Sequence, residues 1–121
     1  MRVTNNESAE NYLETILILS QKLPVVRSVD IATELNYSKP SVSVAMKNLR
    51  KQEYITVSDS GFITLTPAGK KIAKTIYERH TVLSQWLIRL GVDEKTAVDD
   101  ACKIEHDISD KSFKAIKKAI Q

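Results

Sequence analysis

The chain has 121 residues, 42% hydrophobic and 27% charged, with three glycines, three prolines and one cysteine. That is room for one domain, or for a small domain with an oligomerising extension. The lone thiol excludes an intrachain disulfide framework, and short apolar runs without an amino-terminal signal pattern argue against a membrane or secreted protein, so the expected location is the cytoplasm. Net charge is only +3, but residues 22–79 hold ten Lys/Arg against five Asp/Glu, while 80–121 hold seven of each and 1–21 one against three. A basic middle suits a module that contacts phosphates, although a solvated helical surface has the same look.

Residues 8–22 read as a helix, with Ser8 at its N-cap and Tyr12, Leu13, Ile16, Leu17 and Leu19 as a broad apolar face. Leu23-Pro24 ends it. Asn11 and Glu14 lie beside Tyr12 and Leu13 rather than opposite them, an unusual placement for polar residues on an amphipathic helix. A second helix is expected over 29–35 with Ser28 as cap, then a turn at Asn36-Tyr37, then a third helix opened by Ser38 with Pro40 in its first turn. Val42, Ala45, Met46 and Leu49 form its inward stripe, and Ser41, Val44, Lys47, Asn48 and Lys51 face out. Two short helices with a tight polar turn make either a helix-turn-helix or an ordinary helical hairpin. In the first case small side chains let the second helix sit deep in a major groove, serines reach phosphates or base edges, and Val44 meets a thymine methyl.

The next segment separates these alternatives. Residues 55–58 and 62–65 alternate like strands around Asp59-Ser60-Gly61, and a hairpin directly after a helix-turn-helix is a wing. The expected fold is mainly α with a small β-hairpin: a winged helix-turn-helix over 1–75 and a helical domain over 76–121. A long helix starts at Thr66-Pro67 and runs to about Leu90, where Gly91 stops it. Leu83, Trp86, Leu87 and Leu90 are too apolar for a solvent-exposed tail and predict a dimer interface, as expected of DNA readers that bind two-fold half-sites. Further helices are expected over 93–106 and 110–120, the last capped by Ser109 with Phe113, Ile116 and Ile120 on one side. On the first of these, Cys102, Glu105 and His106 share a face at i, i+3, i+4 and would aim sulfur, oxygen and nitrogen at one point. Such a trio is either part of a transition-metal site or a small buried cysteine beside a solvated charge pair.

Taken together, Glu10-Asn11-Tyr12-Leu13-Glu14, Ser38-Lys39-Pro40-Ser41-Val42-Ser43, Leu65-Thr66-Pro67-Ala68-Gly69-Lys70, Arg79-His80 and Asp100-Ala101-Cys102 through Glu105-His106 resemble the metal-dependent repressors typified by the diphtheria toxin repressor and the manganese transport regulator. The likeness runs from Ala9 to about Lys118. It implies metal ligands at Glu14, His80, Cys102, Glu105 and His106, with Asn11 where family members place a methionine or aspartate ligand. Ser84 stands where a second-site glutamate often lies and Val98 where some members carry a histidine, which leaves a second site resting mainly on Glu14 and His80. The resemblance also implies a phosphate contact at Arg27 and a recognition region at Ser38, Pro40, Ser41 and Ser43, to which Ser28, Lys39, Val44 and Lys47 add by position.

The length is that of the short manganese-type members without an SH3-like carboxy-terminal domain, whereas Cys102 is nearer to the iron type. The implied function is a homodimeric repressor, not an enzyme, that binds a palindromic double-stranded DNA operator when a divalent ion is held, and controls metal-uptake genes. Fe²⁺ or Mn²⁺ is the expected ion, with Co²⁺, Ni²⁺ or Zn²⁺ able to substitute in vitro. The alternative is a metal-independent winged-helix regulator that senses a small organic ligand or a partner protein, and Asn11 is its best sequence argument.

Overall fold

The computed structural model describes residues 4–120, with side chains from residue 8 onward. Its elements in chain order are α1 (Thr4–Lys22), α2 (Ser28–Leu35), α3 (Lys39–Lys51), β1 (Ile55–Val57), β2 (Ile63–Leu65), α4 (Pro67–Arg89), α5 (Glu94–Ile104) and α6 (Asp110–Ala119). The chain divides into two compact units between Lys74 and Thr75, within α4.

The first unit is organised by α1, whose Leu13 and Ile16 are almost wholly buried together with Ile31 of α2, Val42 of α3 and Ile55 of β1. Each such side chain contributes roughly 1.5–3 kcal/mol on burial, so this apolar cluster is what holds α1, α2, α3 and the hairpin together. Two expected caps fall elsewhere. Helix α1 begins at Thr4, so Ser8 lies inside it rather than at its start. In α2 the cap position is Arg27, and Ser28 is the first helical residue. The Asp30 carboxylate accepts from the Arg27 backbone N–H (2.9 Å), which moves the helix start one residue upstream.

Asn36 closes α2 in the left-handed region (φ 57°), and Ser38 then caps α3 by accepting from the Ser41 N–H (3.3 Å). The wing is antiparallel, with Ile55 opposite Leu65, Thr56 opposite Thr64 and Val57 opposite Ile63. Gly61 (φ 82°) makes its turn possible for the backbone. Gly69 has a different reason to be glycine: a Cβ there would lie 2.0 Å from the Tyr54 carbonyl oxygen. That close approach is pinned by Thr66, whose hydroxyl donates to the Glu53 carbonyl (2.7 Å) while its N–H donates to the Tyr54 carbonyl (3.0 Å).

The second unit has a smaller apolar cluster: Leu83, Ala101 and Phe113, with Val82, Trp86, Ile104, Ile108 and Ile116 packed against it. Its helices are stopped and started by local chemistry. Asp93 caps α5 by accepting from the Thr96 N–H (3.0 Å), and Ser109 caps α6 by accepting from the Ser112 N–H (3.2 Å). Among the described residues no helix is long and apolar enough to cross a membrane.

Candidate metal centre and nucleic-acid interface

Helix α5 does not continue through His106 as the spacing suggests. It ends at Ile104 with Glu105 as C-cap, and Glu105, His106 and Asp107 form a turn leading to the Ser109 cap of α6. Ending the helix here separates the trio. Glu105 is 0% exposed and His106 2%, whereas Cys102 is exposed. The thiol is thus the solvent-facing member and the charged pair the buried one, the reverse of a packed cysteine beside a solvated carboxylate.

Glu105 carries the chemistry of this unit. Its Oε2 lies 3.2 Å from His80 Nδ1 on α4, and its Oε1 lies 3.5 Å from His106 Nε2. Both carboxylate oxygens are buried without a hydrogen bond. Withdrawing a carboxylate from water costs several kcal/mol unless strong partners replace the solvent. A buried carboxylate with an imidazole nitrogen facing each of its oxygens supplies donor types that fit a divalent transition ion, which would satisfy those oxygens.

The other expected ligands stand as follows. Glu14 is buried on α1 (9% exposed), and Asn11, one turn earlier, is half-buried. The Thr15 hydroxyl occupies the Asn11 backbone carbonyl (2.8 Å). Ser84 is buried and turns its hydroxyl back to the carbonyls of His80 (2.8 Å) and Thr81 (3.1 Å), while Val98 is 38% exposed.

A residue without an assigned role in the sequence reading sits beside this centre. Arg79 is 9% exposed and packs its guanidinium 5.5 Å from the centroid of the Phe113 ring. Its Nη1 donates to the carbonyls of Glu105 (3.1 Å) and Ile108 (2.7 Å), and its Nη2 pairs with Asp110. Sequence carried a trace of it in Arg79-His80, but a basic residue on a lysine-rich helix gives no sign of being buried.

In the first unit the outward face of α3 is as expected. Lys39, Pro40, Ser41, Ser43 and Lys47 are exposed, and Val44 is 61% exposed. Ser38 is exposed but already engaged, donating from its hydroxyl to Ser41 Oγ (2.8 Å). Ser28 is half-buried, and the exposed Arg27 guanidinium lies 4.8 Å from the centroid of the Phe62 ring, a cation–π contact that steadies it at the base of the wing. A small-residue helix face flanked by lysines and an oriented arginine is chemically suited to phosphate contact and groove insertion.

Of the four residues expected at a dimer surface, Leu83 is 0% exposed and belongs instead to the core with Ala101 and Phe113. It faces the two following helices, so its burial is complete within one chain. Trp86 and Leu87 are half-buried and Leu90 is 65% exposed.

A winged helix-turn-helix with a groove-ready second helix, joined to a helical unit with a buried carboxylate–imidazole cluster, defines a metal-responsive DNA-binding regulator. Residues 6–61 match the family model described as the iron dependent repressor N-terminal DNA binding domain, and residues 66–121 match that of the iron dependent repressor metal binding and dimerisation domain. The transcriptional regulator MntR of Bacillus pumilus is 38% identical over 114 residues, covering 94% of this chain and 79% of its own. MntR of Bacillus subtilis is 36% identical over 114 residues, covering 94% and 80%. Among solved structures, the manganese regulator SloR matches with a TM-score of 0.83 and 25% identity over 93% of this chain and 53% of that one. A manganese-dependent transcriptional repressor in complex with manganese matches with a TM-score of 0.83 and 26% identity over 92% and 51%. The chain spans about half the length of these solved relatives. It belongs to the iron-dependent repressor family and is a metal-dependent, DNA-binding transcriptional repressor.

Proposed function

We propose that this repressor acts as a homodimer on a palindromic operator, that Mn²⁺ or Fe²⁺ held by His80, Glu105 and His106 switches on its DNA binding, and that its targets are metal-uptake genes. The observation that carries this is the buried Glu105 carboxylate, with no hydrogen bond to either oxygen and a histidine nitrogen facing each. Glu14 enters as a further ligand on the family resemblance and on its own burial. Asn11 and Cys102 enter as ancillary ligands. A site of carboxylates and imidazoles favours Mn²⁺ and Fe²⁺ chemistry, and a thiolate contribution from the exposed Cys102 would shift preference towards softer ions.

A bound ion would supply a positive charge to the carboxylate and imidazole groups that hold it, and would so stabilise whichever arrangement of the dimer brings them together. Because it favours one arrangement, it raises operator affinity by linkage, with a coupling of about 1–3 kcal/mol. Val44, Ser41 and Ser43 would then reach base edges while Arg27, Lys39 and Lys47 contact phosphates. The dimer contact draws on Trp86, Leu87 and Leu90, supported by the apolar character of the half-buried end of α4 and of the exposed Leu90 that follows it.

The test is operator binding followed by fluorescence anisotropy with and without Mn²⁺. Wild-type affinity rises by about 5- to 150-fold with metal, Glu105→Ala abolishes the rise, and Cys102→Ala alters the order of ions more than the size of the effect. An unchanged metal response in Glu105→Ala would defeat the switch.

A further inference from the structure

We propose that Arg79 is the positioning residue of the metal centre: by clamping the end of α5 it sets where Glu105 meets His80 and His106. The inference rests on reading those three residues as ligands. No hydrogen bond holds the Glu105 carboxylate, so where it stands between the two imidazoles depends on the backbone that carries it. Arg79 bonds this backbone directly: its Nη1 takes the Glu105 and Ile108 carbonyls together at 3.1 and 2.7 Å.

Three features make the clamp effective. Arg79 immediately precedes His80 on α4, so the clamp ties the backbone of one ligand to the backbone of another. It sits where α5 ends and the helix carbonyls lack intrahelical partners, so a buried cation there also meets the negative end of the helix dipole. Its own freedom is removed on both sides, by Phe113 against the guanidinium and by Asp110 on Nη2. The planar fork is needed for this, because one nitrogen must reach two carbonyls while the other holds a carboxylate. A lysine supplies the charge as a single point and cannot span all three acceptors.

Groups one layer behind the ligands commonly change metal affinity by about 10- to 100-fold when removed. The experiment is titration calorimetry of the full chain with MnCl₂, together with the Co²⁺ d–d absorption spectrum at saturating cobalt, for wild type, Arg79→Lys, Arg79→Met, Asp110→Ala and Glu105→Gln. Circular dichroism confirms folding of each. Both Arg79 variants are expected to weaken Mn²⁺ binding by about 10- to 100-fold and to change the Co²⁺ spectrum even at saturation. Asp110 is 75% exposed, so its pair with Arg79 is a minor part of the clamp; Asp110→Ala leaves the two backbone hydrogen bonds and the Phe113 contact in place and is expected to stay within about threefold of wild type.

A folded Arg79→Lys with wild-type affinity and spectrum overturns the proposal, since it would show that a buried cation of any shape suffices. If Arg79→Met does not fold, Arg79→Lys alone decides. A purely structural role would lower melting temperature while leaving the saturated Co²⁺ spectrum unchanged, and that result also overturns it. Wild-type Mn²⁺ affinity in Glu105→Gln is a separate failure, which removes the ligand reading and with it the role of Arg79.

Discussion

The two units of this protein solve burial in opposite ways. The DNA-reading unit is closed mainly by aliphatic side chains from three helices and a hairpin, with polar groups such as Ser38 on Ser41 and Thr66 on Glu53 engaged at helix ends and turns. Among its described residues the helical unit has a smaller apolar cluster, built on Leu83, Ala101 and Phe113, and it also buries Arg79, Glu105 and His106. The difference teaches where each unit draws its stability. The first rests chiefly on its aliphatic core, whereas the second contains a desolvated carboxylate with no hydrogen bond that a bound cation would stabilise.

The largest effect that sharpens this contrast comes from the first unit. Ile31→Ala removes a fully buried side chain and should lower stability by about 2–5 kcal/mol. By chemical denaturation the loss should be the same with and without Mn²⁺. The next effect belongs to the second unit. Mn²⁺ at a hundredfold its Kd should stabilise wild type by about 2.7 kcal/mol, and this gain should be absent in Glu105→Ala. An equal gain in both proteins would break the distinction between the units.

A smaller change tests whether the cap of α3 serves reading as well as folding. Ser38→Ala removes the acceptor for the Ser41 N–H and should cost about 1 kcal/mol of stability, with operator affinity falling at unchanged Mn²⁺ affinity. The smallest effect is a pH dependence at α5. The Asp93 carboxyl is held below its ordinary range by the Thr96 backbone N–H and then by the Thr96 side chain. Its folded value lies below its unfolded one, so its contribution is present above the unfolded value and fades as pH falls through the folded value. Asp93→Asn keeps an acceptor for the cap but does not titrate, so its stability curve should be flatter on the acid side below about pH 4.

Much of the first unit could be read directly from the residues. The α3 stripe of Val42, Met46 and Leu49, the cap at Ser38 and the wing turn at Gly61 are local signals, and each appears where periodicity and turn chemistry put it. The misplaced starts of α1 and α2 are local too, and the second has a plain cause: a carboxylate three residues into the helix captured the N–H one position earlier than Ser28 suggests.

The second unit was less legible because its decisive contacts are long in sequence. A helical face shared by Cys102, Glu105 and His106 follows from spacing only if the helix continues, and it stops at Ile104. Nor does spacing show that Leu83 is core while Leu90 is exposed, since both lie on one apolar stretch. That depends on α5 and α6, which bring Ala101 and Phe113 over the earlier part of α4.

By itself, then, the sequence determined the winged helix, the outward face of its reading helix and the residue types of a metal centre, because helix period, caps and turns act within a few residues. Tertiary structure alone decided that Glu105 and His106 are buried while Cys102 faces solvent. Arg79 is part of that arrangement: it lies 26 positions before the Glu105 carbonyl it bonds and so is invisible to any local pattern.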